Sequence, residues 1–185
     1  MATPGPGQQA TRTPGGGGEF NLNSAGCFPA GTEVTLADGS RVPIESLTKG
    51  QMVRASEFAK QTGAVGDLIE RESEDLYTLT AEAVPGTGAP PPPVNLRITG
   101  DHVVWSDSVG WKAARDLEVG EWIHHESGTL MQVMSLNREP GKHTVYTIEV
   151  DRNNAFFAGG ILVQDLCGYQ KSGDKSMFSK KEVAK

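Results

Sequence analysis

The chain has 185 residues, a hydrophobic content of 37% and a formal net charge of −6, values that allow one domain with polar flanks. The acidic balance argues against a nucleic-acid partner, and no apolar run is long enough to cross a membrane. Two cysteines are too few for a disulfide scaffold or a zinc site. The N-terminus lacks the basic and apolar regions of a signal peptide, so a cytoplasmic location is the default expectation.

Low-complexity segments flank and interrupt the chain. Residues 1–26 contain a run of glycines and few large apolar groups, so they predict a flexible N-terminal flanking segment. Residues 85–93 (PGTGAPPPP) predict an exposed loop of polyproline character. The lysine-rich residues 166–185 predict a C-terminal flanking segment, which leaves residues 27–165 as the folded domain.

The central region predicts an all-β fold of many short strands. Asp38-Gly39 between short apolar runs is a strong hairpin signal, because glycine tolerates a positive φ angle. The helical candidate in this region covers residues 56–71. Turn residues separate strand candidates at 34–36, 41–43, 52–55, 76–84, 94–99, 102–105, 121–125, 130–136, 144–150, 155–157 and 161–164.

A repeated pattern predicts a fold with two similar halves. The sequence Leu-x-x-Gly-x-x-[Val/Ile] occurs at residues 47–53 and again at residues 117–123. Each copy follows a β segment and a turn, and a shared context of this kind is typical of an internally duplicated fold.

Cys27 lies where the flexible leader meets the domain. Gly26 before it has no side chain that would block attack on its own carbonyl carbon, which favours Cys27 as a nucleophile. The alternative is that Cys27 is a small buried apolar residue, which is the usual fate of a cysteine outside disulfides.

Two further stretches carry polar groups at strand ends. Thr99 and His102 lie three residues apart across a sharp turn, so both can point at one peptide bond, and histidine is the natural proton donor near neutral pH. A hydrogen-bonded surface turn is the alternative for this stretch. Gln164 and Asp165 close the last pair of short strands, for which the alternative is an ordinary hairpin.

Together these stretches resemble the Hint superfamily, which comprises inteins, bacterial intein-like domains and hedgehog autoprocessing domains. Residues 27–32 (CFPAGT) look like its first motif, Thr99-x-x-His102 like its second, and residues 157–163 (FAGGILV) like its closing motif. The order of the three motifs is more specific than any one of them. The resemblance implies a flat, all-β horseshoe with pseudo-two-fold halves.

The resemblance also implies a single-turnover reaction of the chain on itself at the Gly26–Cys27 bond. The Cys27 sulfur would attack the Gly26 carbonyl to form a thioester, while Thr99 holds the scissile bond and His102 protonates the departing nitrogen. The substrate would be the chain's own flanking polypeptide, and an external thiol, water or amine would accept the acyl group. We expect a monomer that needs no metal and no cofactor.

The C-terminal end departs from the family pattern. Splicing inteins end in His-Asn followed by a nucleophile, whereas this chain has Gln164, Asp165 and then Leu166. Gln164 has no group that titrates near pH 7, and ring closure by Asp165 would give a strained anhydride. Cys167 is a candidate displaced nucleophile or a redox partner of Cys27. Its alternative is a solvent-exposed spectator in the tail.

A later motif departs from the family as well. Thr147 stands after Tyr146, at the place where the family has an aspartate. Asp151 and His143 are the candidate residues to compensate for it.

We therefore expect N-terminal cleavage or acyl transfer, with impaired C-terminal cleavage before Leu166. The Gln164-Asp165 pair fits both a natural cleavage-only domain and an engineered block. Three alternatives remain open: full protein splicing with an atypical terminus, a catalytically inactive Hint interaction module, and an ordinary cysteine hydrolase acting in trans.

Overall fold

The computed structural model describes residues 26–55, 61–86, 89–151 and 154–165, and in these residues the prediction of an all-β fold is confirmed. Two 3₁₀ turns, Ile44–Ser46 and Ala114–Asp116, accompany the strands. No helix in the described residues is long and apolar enough to span a membrane. The strands are β1 (Phe28–Pro29), β2 (Glu33–Thr35), β3 (Arg41–Pro43), β4 (Met52–Arg54), β5 (Thr62–Ser73), β6 (Leu76–Ala83), β7 (Val94–Thr99), β8 (Val103–Ser106), β9 (Gly110–Ala113), β10 (Trp122–His124), β11 (Leu130–Glu139), β12 (His143–Val150), β13 (Ala155–Ala158) and β14 (Ile161–Gln164).

The strands form two antiparallel sheets that join distant parts of the chain. A 4-stranded sheet has the order β1-β12-β5-β4, and a 10-stranded sheet has the order β3-β2-β13-β14-β8-β10-β11-β6-β7, with β9 paired to β8. Strand β1 pairs with β12, and β2 pairs with β13. The beginning and the end of the described chain are therefore held within the same sheets.

The repeated pattern folds twice into the same turn. Gly50 and Gly120 have φ angles of 88° and 97°, in the left-handed region that favours glycine. The Gly50 N–H donates to the carbonyl of Val65, and the Gly120 N–H donates to that of Val133, both at 2.8 Å. The prediction of two similar halves is confirmed.

The same symmetry relates Thr32 in the first half to His102 in the second. The Ile44 N–H donates to the Thr32 carbonyl at 2.8 Å, and the Ala114 N–H donates to the His102 carbonyl at 2.7 Å. A turn that serves only as structure in one half therefore presents a histidine in the other.

The helical prediction for residues 56–71 is wrong over residues 61–71, and its first part, 56–60, lies outside the described residues. Strand β5 lies between β12 and β4, so its backbone groups are used by two neighbouring strands, which outweigh a local helical pattern. Gly63 allows β5 to lie close to β12, because a Cβ there would lie 2.4 Å from Cγ1 of Val150. The sequence pattern also fails to predict β1 and β9, which are two and four residues long.

An apolar core links the two sheets and supports the segment around Cys27. Its packing includes an edge-on contact between Phe28 and Phe156, whose ring centroids are 5.9 Å apart. The largest fully buried side chains are Phe28, Phe156, Phe157, Ile44, Leu76, Leu79, Ile98, Ile123, Met131, Ile148 and Ile161.

A pair of valine substitutions tests this core. Val104 is fully buried on β8, whereas Val119 is 69% exposed. We expect Val104→Ala to lower the free energy of unfolding by about 2–3 kcal/mol, because it removes two buried methyl groups and leaves a cavity. Val119→Ala should change it by less than about 0.5 kcal/mol. Urea unfolding followed by tryptophan fluorescence measures both, and equal effects would contradict the assigned core.

Candidate functional site

Two hydrogen bonds between Cys27 and Thr99 hold the segment around Cys27 against the end of β7. The Cys27 N–H donates to the Thr99 hydroxyl oxygen at 2.7 Å, and the Thr99 N–H donates to the Cys27 carbonyl at 3.0 Å. Cys27 is fully buried and packs with Leu76 and Val145. The nitrogen of the Gly26–Cys27 peptide bond is therefore fixed by the side chain that the sequence predicts.

Gly26 lies directly against His102. A Cβ added to Gly26 would lie 2.2 Å from the His102 Cα and 2.5 Å from its Cγ. These distances leave no room for a side chain, so a larger residue at position 26 would displace the backbone or the imidazole. The glycine before the cysteine is required for a close approach to the imidazole.

The proton state of His102 follows from its surroundings. Its Nε2 lies 2.8 Å from the Gln164 carbonyl oxygen, and because a carbonyl only accepts, Nε2 carries the hydrogen. Phe28 packs on the ring at a centroid distance of 4.3 Å. Burial lowers the pKa of His102 to about 4, although the backbone of Gly26 and Gln164 opposes the shift. The resting imidazole is therefore neutral, and its Nδ1 is buried with no well-aligned hydrogen bond to the part of the chain that the structure describes.

The thiol of Cys27 faces an arginine that the sequence analysis does not identify. Arg71 Nε donates to Cys27 Sγ at 3.0 Å, and an Arg71 terminal nitrogen lies 3.5 Å from an Asp101 carboxylate oxygen. Burial raises the pKa of the Cys27 thiol to about 11, while the charge and hydrogen bond of Arg71 oppose that rise. Burial also raises the pKa of Asp101, against the charge of Arg71.

The terminal residues Gln164 and Asp165 are both buried and both engaged. The Gln164 carbonyl is the acceptor for His102 described above. Asp165 accepts from the Val150 N–H through Oδ2 at 2.7 Å, and its own N–H donates to the Asn154 carbonyl at 2.9 Å. The Asp165 carboxylate thus contributes to the structure of the C-terminal end.

Thr147 lies close to Cys27 in the strand register, whereas His143 and Asp151, the candidates to compensate for it, lie at the two ends of β12. The register of β1 against β12 places Thr147 opposite Cys27, and the Thr147 hydroxyl is buried without a hydrogen-bond partner among the described residues. His143 begins β12 and its Nε2 lies 3.1 Å from the Pro140 carbonyl oxygen. Asp151 is exposed at the other end of that strand.

Several predicted features lie elsewhere. Leu166 and Cys167 are outside the described residues. A cleft of about 330 Å³ is lined by residues of β2, β3 and β7, and its lining does not include Cys27 or His102. The described residues contain no group of three or more histidine, cysteine, aspartate or glutamate side chains placed to hold a metal ion.

Known protein structures share this architecture. No family model and no curated protein sequence matches the chain. A bacterial intein-like domain from Clostridium thermocellum aligns with 24% identity and a TM-score of 0.62, covering 75% of this chain and 98% of that one. A DnaB intein from Synechocystis aligns with 20% identity and a TM-score of 0.61, covering 76% and 98%. The gp41-1 intein aligns with 19% identity and a TM-score of 0.61, also covering 76% and 98%.

These alignments cover nearly the whole length of each intein or intein-like domain, and they agree with the fold that the three sequence motifs imply. The chain therefore has the Hint fold, the fold of inteins and bacterial intein-like domains.

Proposed function

We propose that this domain cleaves its own N-terminal flank through a thioester formed at the Gly26–Cys27 bond. One observation carries the proposal: the Cys27 N–H donates to Thr99 at 2.7 Å while the backbone of Gly26 lies against His102. One peptide bond therefore has its nitrogen held by Thr99, the nucleophilic cysteine on one side and a neutral imidazole beside it. Nucleophilic catalysis with proton transfer requires these groups.

The proposed step balances without any other reactant. A bond forms between Cys27 Sγ and the Gly26 carbonyl carbon, and the bond from that carbon to the Cys27 nitrogen breaks. His102 Nδ1 takes the thiol proton and delivers it to the departing nitrogen. His102 therefore acts first as a base and then as the proton donor that the sequence predicts. The hydrogen on Nε2 stays on that nitrogen throughout and remains hydrogen-bonded to the Gln164 carbonyl oxygen.

The thioester requires an acceptor to complete cleavage. Exchange of an amide for a thioester is uphill, because amide resonance is lost, so the equilibrium favours the intact chain until the acyl group is removed. An external thiol, water or an amine would remove it and release residues 1–26. The chain is then both enzyme and substrate and acts once.

The contacts and the chemistry of Asp165 disfavour the C-terminal half of a splicing reaction. Its carboxylate accepts the Val150 N–H, and a carboxylate is a poorer ring-closing group than the amide nitrogen of asparagine. Full splicing through the Gln164-Asp165 terminus is therefore the less favoured alternative within the family.

An inactive Hint interaction module is the second candidate. The observation that favours it is the full burial of Cys27, which holds the thiol pKa at about 11 and leaves little thiolate at neutral pH. The two candidates differ in whether a thiol releases the leader.

The first experiment measures thiol-induced cleavage. We expect dithiothreitol to release residues 1–26 from purified protein, as seen by intact mass. Cys27→Ala should abolish the release, and His102→Ala should slow it by about 10²–10⁴-fold because it removes the positioned acid–base group. His124→Ala serves as a matched control, since His124 is buried but contacts Asp107 instead of the site. Release from Cys27→Ala at the wild-type rate would exclude the mechanism.

The pH dependence tests the proton state of His102. The reacting form has a neutral imidazole and a protonated thiol, so it is lost below the His102 pKa of about 4 and above the Cys27 pKa of about 11. We expect the rate at saturating thiol to be nearly flat from about pH 6 to about pH 9. In His102→Ala the rate should instead rise with pH, because thiolate must then form by loss of a proton to solvent. A wild-type rate that turns on near pH 6.5 would contradict the neutral resting imidazole.

The C-terminal end is tested by substitution. Replacing Gln164-Asp165 with His-Asn supplies an amide nitrogen for ring closure and an imidazole beside it, so we expect cleavage before Leu166. Gln164→His alone is the control, since it leaves Asp165 in place. If the doubly substituted chain stays uncleaved at that bond, the defect lies at another position, for example Thr147.

A further inference from the structure

Strand register places Arg71 on the same face as the attacking cysteine. Arg71 on β5 pairs with Val145 on β12, which in turn pairs with Pro29 on β1. Side chains alternate along a strand, so Cys27, two residues before Pro29, shares the face of Arg71 and Val145. The 3.0 Å contact from Arg71 Nε to Cys27 Sγ is the result.

We propose that Arg71 is a catalytic residue that stabilises the Cys27 sulfur as an anion during attack, and that Asp101 positions its guanidinium. This inference rests on the proposed cleavage at Gly26–Cys27. Arg71 keeps all its protons: the thiol proton passes to His102 Nδ1, and the sulfur bears negative charge only until it bonds to the carbonyl carbon.

A buried sulfur anion needs such a partner. The Arg71 side chain is 16% exposed and that of Asp101 10%, so their charges are weakly screened by solvent. Thr147, opposite Cys27 on β12, is uncharged and supplies no such stabilisation. Hydrogen bonds in which one partner is ionised are about twice as strong as neutral ones, so the contact to Sγ strengthens when the thiol loses its proton.

Arginine suits this position because its nitrogens serve two partners at once. Nε contacts Cys27 Sγ, and a terminal nitrogen contacts Asp101, one residue before His102 in the chain. A lysine would place a single point charge there and could not keep both contacts in the same geometry. Asp101 therefore aims the guanidinium, while its negative charge opposes formation of the thiolate.

Arg71 also acts on the imidazole. Burial lowers the pKa of His102, the backbone of Gly26 and Gln164 raises it, and the charge of Arg71 lowers it further. The same charge lowers the pKa of the Cys27 thiol. Loss of Arg71 should therefore raise both pKa values, a paired change that loss of packing alone would not produce.

The test measures the thiol itself, so it does not depend on cleavage. In a Cys167→Ser background Cys27 is the one cysteine left, so NMR of carbon-labelled cysteine gives the thiolate fraction of Cys27 at about pH 10. The imidazole signals give the pKa of His102. We expect Arg71→Met to lower the thiolate fraction by about 10- to 100-fold, which corresponds to about one to two pKa units. The His102 pKa should rise, and thiol-induced cleavage at about pH 7 should slow.

Three variants keep the test falsifiable. Arg71→Lys should recover part of the thiolate, since it restores the charge without the second contact. Asp101→Asn should raise the thiolate fraction, in the direction opposite to Arg71→Met, since it removes a negative charge. It should nevertheless slow thiol-induced cleavage, since the guanidinium loses its positioning partner. Arg97→Met is the matched control, because Arg97 pairs with Glu139 at 2.7 Å and should leave the thiol unchanged.

The outcomes separate this inference from the proposed function. A chain that never releases its leader, but whose thiolate fraction falls in Arg71→Met, would reject the proposed cleavage and support Arg71 as the partner of the sulfur. A folded Arg71→Met variant with an unchanged thiolate fraction and normal cleavage would overturn the Arg71 inference alone.

Discussion

The hydrogen bond from the Cys27 N–H to the Thr99 hydroxyl is the constraint on which the site depends. It fixes the nitrogen of the Gly26–Cys27 peptide bond, which would leave in the proposed cleavage, and the return bond from the Thr99 N–H to the Cys27 carbonyl fixes the other side of the same residue. With both groups held, Gly26 lies against His102, where a side chain would not fit. One strand end thus orients the peptide bond, the sulfur and the imidazole of the proposed reaction.

Burial sets the reactivity of these groups as well as their geometry. It raises the pKa of Cys27 to about 11 and lowers that of His102 to about 4, so both are neutral at rest. In the proposed mechanism a neutral pair would keep the uncleaved chain intact, and the same low-dielectric surroundings would strengthen the pull of Arg71 on a sulfur anion once it forms. Both the stability of the precursor and the stabilisation of the sulfur anion in the proposed reaction would therefore follow from the same buried site.

The sequence predicts the parts of this site that lie close together in motifs, but not those joined by strand register. Cys27, Thr99 and His102 follow from short patterns, and the repeated turn predicts the two halves. Arg71 does not follow from such a pattern, because its contact depends on β5 pairing with β12, and a local helical pattern covers most of that strand, Arg71 included. Strand pairing is decided by distant partners, so local propensity is a poor guide there.

The C-terminal strand also matters to the proposed N-terminal reaction. The contact of His102 Nε2 with the Gln164 carbonyl favours the tautomer that carries its hydrogen on Nε2, because a carbonyl only accepts. A backbone carbonyl does this for any side chain at position 164, so a glutamine there would leave the base of the proposed first step in place. Asp165 then secures that carbonyl's position by accepting the Val150 N–H and donating to Asn154. A cleavage-only domain would therefore still need an intact β14.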